Sequence, residues 1–342
     1  MSTITEPRKD IDWASLGFGY YPVRSHIRYT WKDGKWSKGT LVNDPHITMS
    51  IAATCLHYGQ EAFEGMKAFR GKDGKVRIFR PLENWARMNS TAHQILSPEI
   101  PQEMFIEAVT TVVRDNIDYV PPYESGGSLY LRPLHIGTGP QIGVAPADEF
   151  DFLVMVMPVG SYYKEGLHGV PSLIVEDYDR AAPLGMGRFK VGGNYAASLM
   201  PAKLAKKRGF PIPLFLDPRE HKYIDEFGTS NFLAITKDGK YVTSDSKSIL
   251  PSVTNKSLMQ VAADLGMTVE KRPIEVGELA DFAEVCACGT AVVITPISSI
   301  TYGDKVFEYG HECGPVSKKL YDRLTGIQHG DIEDTHSWLL EV

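Results

Sequence analysis

Lys190 stands in a segment whose composition suits covalent chemistry. Glycines lie at positions 185, 187, 192 and 193, and Phe189 and Val191 flank the lysine directly. Glycine lets the main chain approach a bound molecule closely, and apolar neighbours favour the neutral, nucleophilic form of a lysine amine. Such an amine reacts with carbonyl groups. The competing interpretation is a solvent-exposed loop charge, the more frequent state of a lysine beside glycines.

A second chemical group follows in residues 223–231. Asp225 and Glu226 lie in a strand-like stretch that ends in a turn at Gly228 and Thr229. An ionised carboxylate beside a pyridine nitrogen keeps that nitrogen protonated, and the pyridinium then withdraws electrons from a substrate carbanion. The lysine and the carboxylate together indicate pyridoxal phosphate chemistry. The alternative is a solvated strand end, which Asp225, on the opposite strand face, fits better than Glu226.

A phosphate group needs fixed hydrogen-bond donors. Residues 254–265 predict a helix, because apolar residues recur at helical spacing before Gly266. The start of this helix at Thr254 offers free backbone N–H groups and the positive end of the helix dipole. The competing interpretation is that Thr254 is only an N-cap.

The elements that would position these groups mix hairpins and helices. Lys-Asp-Gly-Lys turns at residues 32–35, 72–75 and 237–240 lie between β-favouring stretches and predict hairpins. Helices are predicted over residues 81–96, 102–118 and 195–208. Pro201 lies inside the last of these, so that helix is kinked or begins there. Antiparallel hairpins with helices predict an α+β, or mixed α/β, fold.

Length and charge favour a two-domain protein that acts on small molecules. A chain of 342 residues exceeds the size at which one core keeps growing. Residues 160–171 are rich in helix and strand breakers, and they predict the connection between domain 1–159 and domain 172–342, the second carrying Lys190. A net charge of −6 without a basic block argues against nucleic acid as a partner.

The four cysteines form no two-pair metal pattern, so we predict no metal site. The histidine and acidic residues of positions 329–336 are interpreted as a solvated tail. The N-terminus has no apolar signal core, and the longest apolar run, near residues 152–159, is too short to span a bilayer. The sequence therefore predicts a reduced, cytoplasmic protein with no membrane partner.

Seven short segments carry a family resemblance. They are Tyr58-Gly-Gln-Glu-Ala-Phe63-Glu-Gly-Met-Lys67, Tyr130-Leu-Arg132-Pro, Val159-Gly-Ser-Tyr162, Lys190-Val-Gly-Gly-Asn-Tyr195, Glu226-Phe-Gly-Thr229, Ile249-Leu-Pro-Ser-Val253-Thr254 and Gly289-Thr290-Ala291. In these segments the chain resembles the branched-chain amino acid aminotransferases, L-specific members of the fold type IV pyridoxal phosphate enzymes. The resemblance implies a smaller N-terminal α/β domain and a larger C-terminal pseudo-barrel domain, with the cofactor at their interface.

The resemblance also implies an activity and a set of cofactor contacts. The activity is reversible, ping-pong transfer of the amino group between L-leucine, L-isoleucine or L-valine and 2-oxoglutarate. Lys190 would hold the cofactor covalently and act as general base, Glu226 would face the pyridine nitrogen, and Tyr195 would bond the phenolic oxygen. The remaining cofactor-binding residues, mostly at the phosphate, would be Arg87, Thr229, Val253, Thr254 and Thr290. Helical periodicity alone predicts Arg87 to be a solvated surface charge.

Substrate contacts follow from the same resemblance, in a homodimer that shares residues between its sites. The aliphatic pocket would be formed by Phe63 and Tyr162, with Ile142 and Val144 from the partner chain. Glutamate's carboxylate would be received by Arg132, Tyr162 and Tyr58, the last again from the partner, with Tyr130 in the same pocket. Backbone N–H groups of Thr290 and Ala291 would hold the α-carboxylate. On burial habits alone, Phe63 and Ile142 are predicted to be ordinary core.

Three alternatives remain open. Within the same fold, D-amino acid aminotransferases and aminodeoxychorismate lyases share the lysine and the glutamate, although the Phe63 and Arg132 segments favour the branched-chain enzymes. From a different class, the chain could be a non-catalytic pyridoxal phosphate binding protein.

Mammalian family members carry a redox Cys-x-x-Cys after the Gly-Thr-Ala turn, whereas this chain has Val292 and Thr295 there. The sequence therefore predicts no such thiol switch.

Overall fold

The chain divides into two compact units, each with its own sheet and core. The structure is a computed structural model that describes residues 6–161 and 166–342. The first unit comprises Met1–Tyr162, Phe189–Gly192 and Gly326–Val342, and the second comprises Tyr163–Arg188 and Gly193–Thr325. The boundary at residues 160–171 stays a prediction. Two segments that it assigned to the second domain, including the one with Lys190, group instead with the first unit.

In the described part of the chain, the first unit forms a nine-stranded sheet in which every pairing is antiparallel. Its strands are β1 His26–Lys32, β2 Lys35–Trp36, β3 Thr40–Val42, β4 Glu61–Phe63, β5 Met66–Arg70, β6 Val76–Phe79, β7 Ser128–Gly137, β8 Phe150–Val159 and β18 Leu339–Glu341. Its helices are α1 Thr54–Tyr58, α2 Pro81–Gln94 and α3 Gln102–Asp115. The strand order is β18-β6-β5-β7-β8-β1-β2, with β3 beside β1 and β4 beside β7.

One face of this sheet packs against helix α3. The helix buries Phe105, Ala108 and Val112 at helical spacing, in the same core cluster as Leu129 and Leu131 of β7. Successive side chains of a strand point to opposite faces, so this packing turns the intervening residues of β7 to the other face of the sheet. That other face carries the substrate residues expected from the sequence.

The second unit is built on a sheet that closes on itself. Its strands are β9 Val170–Ile174, β10 Ile212–Leu216, β11 Ile224–Phe227, β12 Ser230–Thr236, β13 Tyr241–Ser244, β14 Val269–Arg272, β15 Phe282–Gly289, β16 Val293–Tyr302 and β17 Lys305–Glu308. The order is β11-β10-β9-β16-β15-β12-β13-β14, with β17 beside β16, and β11 also pairs with β12. That additional pairing closes a barrel, which agrees with the expected pseudo-barrel domain. The mixed α/β architecture is thereby confirmed.

The helices that accompany the barrel strands are α4 Gly192–Ala197, α5 Leu199–Lys207, α6 Val253–Asp264 and α7 Pro315–His329. Helices α4 and α5 correct the single helix predicted over residues 195–208, because the chain breaks at Ser198. Pro201 then falls in the first turn of α5, where its missing N–H leaves no helical hydrogen bond unmade. None of the helices in the described ranges combines the length and the apolar character that a membrane span requires.

The three predicted hairpins are confirmed. The first pairs β1 with β2 through Asp33 and Gly34, which both have positive φ, as an Asp-Gly hairpin turn requires. The other two pair β5 with β6 and β12 with β13. Asp331 and Glu333 are exposed, as the solvated interpretation of positions 329–336 predicts. The chain that follows them is packed, because strand β18 pairs with β6 and Trp338 is buried, with its ring centroid 4.6 Å from the guanidinium of Arg80.

Candidate active site

The main chain around Lys190 is held on both sides by the first unit. The Lys190 N–H donates to Thr91 Oγ1 of α2 at 3.1 Å, and its carbonyl accepts the N–H of Phe63 of β4 at 3.1 Å. Two residues later, the N–H of Gly192 donates to the carboxylate of Glu61. The Lys190 ammonium lies 4.5 Å from the centroid of the Phe63 ring. The backbone of Lys190 is therefore fixed, and its side chain extends over the ring of Phe63.

Arg87 lies in an ion pair with only 11% of its side chain exposed, so the solvated surface charge predicted from periodicity is wrong. Its Nε and Nη2 donate to the two carboxylate oxygens of Glu64, each at 2.7 Å, and Asn84 Nδ2 donates to the same group at 2.8 Å. Glu64 is fully buried. Although burial opposes its ionisation, the charges of Arg87 and Lys190 and the hydrogen bonds of Arg87 and Asn84 hold the pKa of Glu64 below its ordinary value. A bidentate pair of this kind fixes the guanidinium plane.

Phe63, Tyr130 and Arg132 lie together, and Tyr130 and Arg132 are on the face of the first sheet that points away from helix α3. Arg132 Nη2 donates to the Tyr130 hydroxyl at 2.9 Å, and its guanidinium lies 4.9 Å from the Phe63 centroid and 5.3 Å from the Tyr130 centroid. A cation over two aromatic faces gains from their negative quadrupoles. The cluster thus offers apolar walls and one positive group in the same place.

Two further residues of this face were not found from the sequence. Lys67 of β5 is paired with Tyr130 of β7, so their side chains share a face, and burial lowers the pKa of Lys67 to about 8. Phe18 lies edge-on to Tyr130, with 4.9 Å between ring centroids. Lys67 and Tyr130 are neighbours because of the register in which β5 pairs with β7. The sequence around either residue does not encode that register. Phe18 carries no periodic signal, because it precedes the first strand.

The residues assigned to a partner chain are exposed in the single chain. Ile142 is 66% exposed and Val144 is 89% exposed, so the expectation that Ile142 is ordinary core is wrong. Both lie in the connection between β7 and β8, which holds no regular strand or helix of its own. The Tyr58 hydroxyl donates to the carbonyl of Ile142. Tyr162 lies outside the described residues.

Glu226 is the centre of a buried polar network in the second unit. Its side chain lies on β11 and is 3% exposed. One carboxylate oxygen accepts the N–H of Leu250 at 3.0 Å and lies 2.7 Å from Arg180 Nη2, and the other accepts Asn231 Nδ2 at 2.7 Å. Burial nevertheless raises the pKa of Glu226 to about 7. The charged form is therefore incompletely compensated, and a cation placed beside it would relieve the deficit.

Asp225 and Arg180 differ from what the sequence indicated. Asp225 is 1% exposed and accepts a hydrogen bond from Ser248 Oγ, so the solvated strand end is wrong. Strand β11 lies between β10 and β12 inside the barrel sheet, which buries both of its faces. Burial also raises the pKa of Asp225. Arg180 was missed because it precedes Glu226 by 46 positions and no motif links them.

The other second-unit residues that are predicted to bind the cofactor lie beside Glu226, at the start of α6 and in the turn after β15. Tyr195, Thr229 and Asn194 line one small cavity with Glu226. Helix α6 begins at Val253, and its N-cap is Ser252, whose Oγ accepts the N–H of Asn255 at 3.1 Å. Thr254 is therefore not the N-cap. The N–H groups of Val253 and Thr254, in the first turn, have no acceptor within the helix and remain suited to an anion.

Thr290 and Ala291 form the turn between β15 and β16. Ala291 is exposed and Thr290 is partly buried. Val293, at the start of β16, has φ of 66°, which a β-branched residue rarely adopts. Backbone strain of this kind is maintained where surrounding structure fixes it, and it is concentrated at ligand sites.

These groups fit pyridoxal phosphate. Glu226 is an under-compensated carboxylate suited to a protonated pyridine nitrogen, Tyr195 is a phenol in the same cavity, and the start of α6 offers N–H donors to a phosphate. In the first unit, Lys190 carries a primary amine of the kind that covalent attachment of this cofactor needs. Among the described residues, no cluster of three or more His, Cys, Asp or Glu side chains is arranged to hold a metal ion.

Comparison with known proteins identifies the family. The sequence profile of the family described as Amino-transferase class IV matches residues 61–300. The chain is 48% identical to the branched-chain-amino-acid aminotransferase of Haemophilus influenzae over 98% of this chain and 99% of that one. It is 44% identical to the enzyme of the same name from Helicobacter pylori, over 98% of both chains.

A solved structure agrees with these relatives. The branched-chain amino acid aminotransferase of Thermobaculum terrenum, in its pyridoxal phosphate form, superposes with a TM-score of 0.77 at 25% identity, over 92% of this chain and 97% of that chain. The profile match and the identities define a class IV aminotransferase of fold type IV, which uses pyridoxal phosphate. Within that class, the chain belongs to the branched-chain amino acid aminotransferases.

Proposed function

We propose that this protein transfers the amino group reversibly between L-leucine, L-isoleucine or L-valine and 2-oxoglutarate, with the predicted residues in the roles given below. The observation that carries the substrate assignment is the Arg132 guanidinium over the rings of Phe63 and Tyr130. Both an aliphatic side chain and the γ-carboxylate of glutamate must enter one pocket. Aromatic walls accept the first, and the cation accepts the second.

When bound, pyridoxal phosphate supplies an electron sink for the carbanion formed at the substrate Cα. Lys190 would anchor the cofactor through its Nζ, and the same amine would take the proton from the substrate Cα. Glu226 would keep the pyridine nitrogen protonated, and Tyr195 would donate a hydrogen bond to the phenolic oxygen. The phosphate contacts are assigned to Arg87, Val253, Thr254 and Thr290, with Thr229 completing the cofactor set.

The substrate is oriented by its carboxylates. We assign the α-carboxylate to the N–H groups of Thr290 and Ala291, and the γ-carboxylate of glutamate to Arg132 beside Tyr130. Phe63 forms an apolar wall. Tyr162 is assigned to the same pocket, as the family resemblance implies.

The active form is proposed to be a homodimer in which Tyr58, Ile142 and Val144 serve the site of the partner chain. The exposure of apolar side chains supports this proposal. Besides Ile142 and Val144, the residues just before Tyr58 include Ile51, which is 90% exposed, and Leu56, which is 62% exposed. An apolar cluster this open marks an interaction surface. A reducing cytoplasm is the proposed compartment, and it suits the four cysteines, which form no disulfide in the structure.

The test is the visible absorbance of the purified protein with pyridoxal phosphate. We expect the cofactor band to bleach with L-leucine or L-glutamate and to return with 2-oxoisocaproate. Bleaching by D-alanine alone would transfer the chain to the D-amino acid aminotransferases. A band that ignores every amino acid would mean a non-catalytic binding protein, and no band at all would refute the cofactor assignment.

A further inference from the structure

The contact between Glu61 and Gly192 has a geometry that only glycine permits. The Glu61 carboxylate accepts the N–H of Gly192. A Cβ built on Gly192 would overlap the same carboxylate oxygen, and no backbone atom is in its way. The backbone at Gly192 does not lie at positive φ, so glycine is required there for the space it leaves and not for its torsion angles. The carboxylate therefore occupies the position of the missing side chain.

Other hydrogen bonds hold the same lysine segment. Two of them, from Thr91 and Phe63, act on Lys190 itself and join neutral groups. Glu61 acts two residues further on, at the final residue of the segment before the chain enters the second unit at Gly193. Glu61 is the carboxylate of the set. Burial raises the pKa of Glu61, and the Gly192 N–H and the charge of Arg132 oppose that rise by favouring the ionised form. A hydrogen bond to the ionised carboxylate is roughly twice as strong as a neutral one.

Strand β4 also contacts the lysine segment through two side chains on the same side of the strand. Glu61 and Phe63 are two positions apart on β4, so their side chains share a face, and Ala62 between them is buried on the opposite face. The Phe63 ring lies under the Lys190 ammonium, and the Glu61 carboxylate holds the main chain beyond it. The three-residue strand thus fixes both the root and the direction of the lysine side chain.

We propose that Glu61 is a positioning residue for Lys190, and that its carboxylate keeps the lysine segment in place through the Gly192 N–H. The proposal rests on the proposed function of Lys190. Displacing a reacting group by about 1 Å costs on the order of 10²-fold in rate. Loss of the carboxylate should therefore lower kcat for L-leucine by about 10- to 100-fold and change KM little, because Glu61 holds the base and not the substrate.

The experiment compares Glu61→Ala, Glu61→Gln and the control Glu99→Ala, a substitution of an exposed carboxylate of the first unit. Hydrogen exchange by mass spectrometry follows the peptide over residues 189–195, and steady-state kinetics give kcat and KM. We expect Glu61→Ala to speed exchange in that peptide and lower kcat. Glu61→Gln retains an oxygen acceptor without the charge, so it should recover part of both, and Glu99→Ala should match the wild type.

A second set of variants tests the same contact from the other side. Gly192→Ala should displace the carboxylate and reproduce the effect of Glu61→Ala with Glu61 still present. In the Glu61→Ala background, Gly192→Ala should cost little more, because the clash has been removed, and the two effects should be strongly non-additive. Additive effects, or Glu61→Ala with wild-type exchange and kcat, would overturn the proposal. If the wild-type protein has no transaminase activity while the variants still show these exchange changes, the proposed function alone is refuted.

Discussion

The ionised form of Glu226 destabilises the folded, cofactor-free protein, and the pH dependence of the free energy of unfolding should show this. The carboxylate is 3% exposed, and burial outweighs Arg180 and the Leu250 N–H in raising its pKa to about 7 from the ordinary 4.5. The folded protein therefore binds the proton of residue 226 more tightly than the unfolded chain does. We predict that Glu226→Gln removes a pH-dependent destabilisation of the cofactor-free protein.

The size and sign follow from proton linkage. As the pH rises from 4.5 to about 7, the unfolded chain releases the Glu226 proton while the folded chain keeps it. The free energy of unfolding therefore falls through this window and is constant above it. At about 1.36 kcal/mol per pH unit, the loss amounts to about 3 kcal/mol. Relative to the wild type, Glu226→Gln should gain about 3 kcal/mol between the two ends of the window, because distant groups titrate alike in both proteins.

The assay is urea unfolding of both proteins at several values between about pH 4.5 and pH 8. Far-ultraviolet circular dichroism is the required signal. The five tryptophans lie at positions 13, 31, 36, 85 and 338, all in the first unit, so their fluorescence does not report on Glu226. Glu220→Gln, an exposed change in the second unit, is the control. A difference between wild type and Glu226→Gln that stays within about 1 kcal/mol across the range would refute the reasoning.

Three further predictions test other parts of the molecule. Lys190→Ala should keep its thermal stability and show no absorbance change with L-leucine, and retained turnover would remove the lysine from its role. Burial lowers the pKa of His135 to about 3, so the folded protein resists protonation and should lose about 2 kcal/mol from pH 7 to pH 5. In urea unfolding, His135→Leu should abolish that loss, and an unchanged pH slope would contradict it. Ile142→Glu should shift the protein toward monomer in sedimentation, whereas Val306→Glu, at another exposed apolar position, should leave its size unchanged.

The hairpins were predictable because their information is local. A two-residue Asp-Gly turn between β-favouring stretches sets both the reversal and the twist of the flanking strands, and β1 with β2 follows that rule. The break between α4 and α5 was harder to predict, because the helical pattern of the sequence continues across Ser198. Pro201 signalled an interruption without fixing its position.

The errors at the site have a different origin. Arg87 and Asp225 were assigned to solvent because each was judged against its own helix or strand. A charge becomes buried when a partner compensates for lost hydration, and that partner is remote in sequence, 23 positions away for Arg87 and Glu64. Ser252 was passed over as the cap of α6 for a related reason, since serine and threonine both suit the position and only the observed turn decides.

The residues whose burial was wrongly predicted include ones to which the family resemblance assigns a functional role. Replacing a buried ion pair by apolar residues is often neutral or stabilising, so stability alone gives little reason to bury Arg87 with Glu64 or Arg180 with Glu226. Both pairs involve residues that the family resemblance assigns to the cofactor, and Glu226 is left under-compensated. Violations of local rules are expected where function imposes them. The under-compensated charge of Glu226 is therefore better explained by the binding of a cation than by stability, and such binding would restore the compensation that the cofactor-free protein lacks.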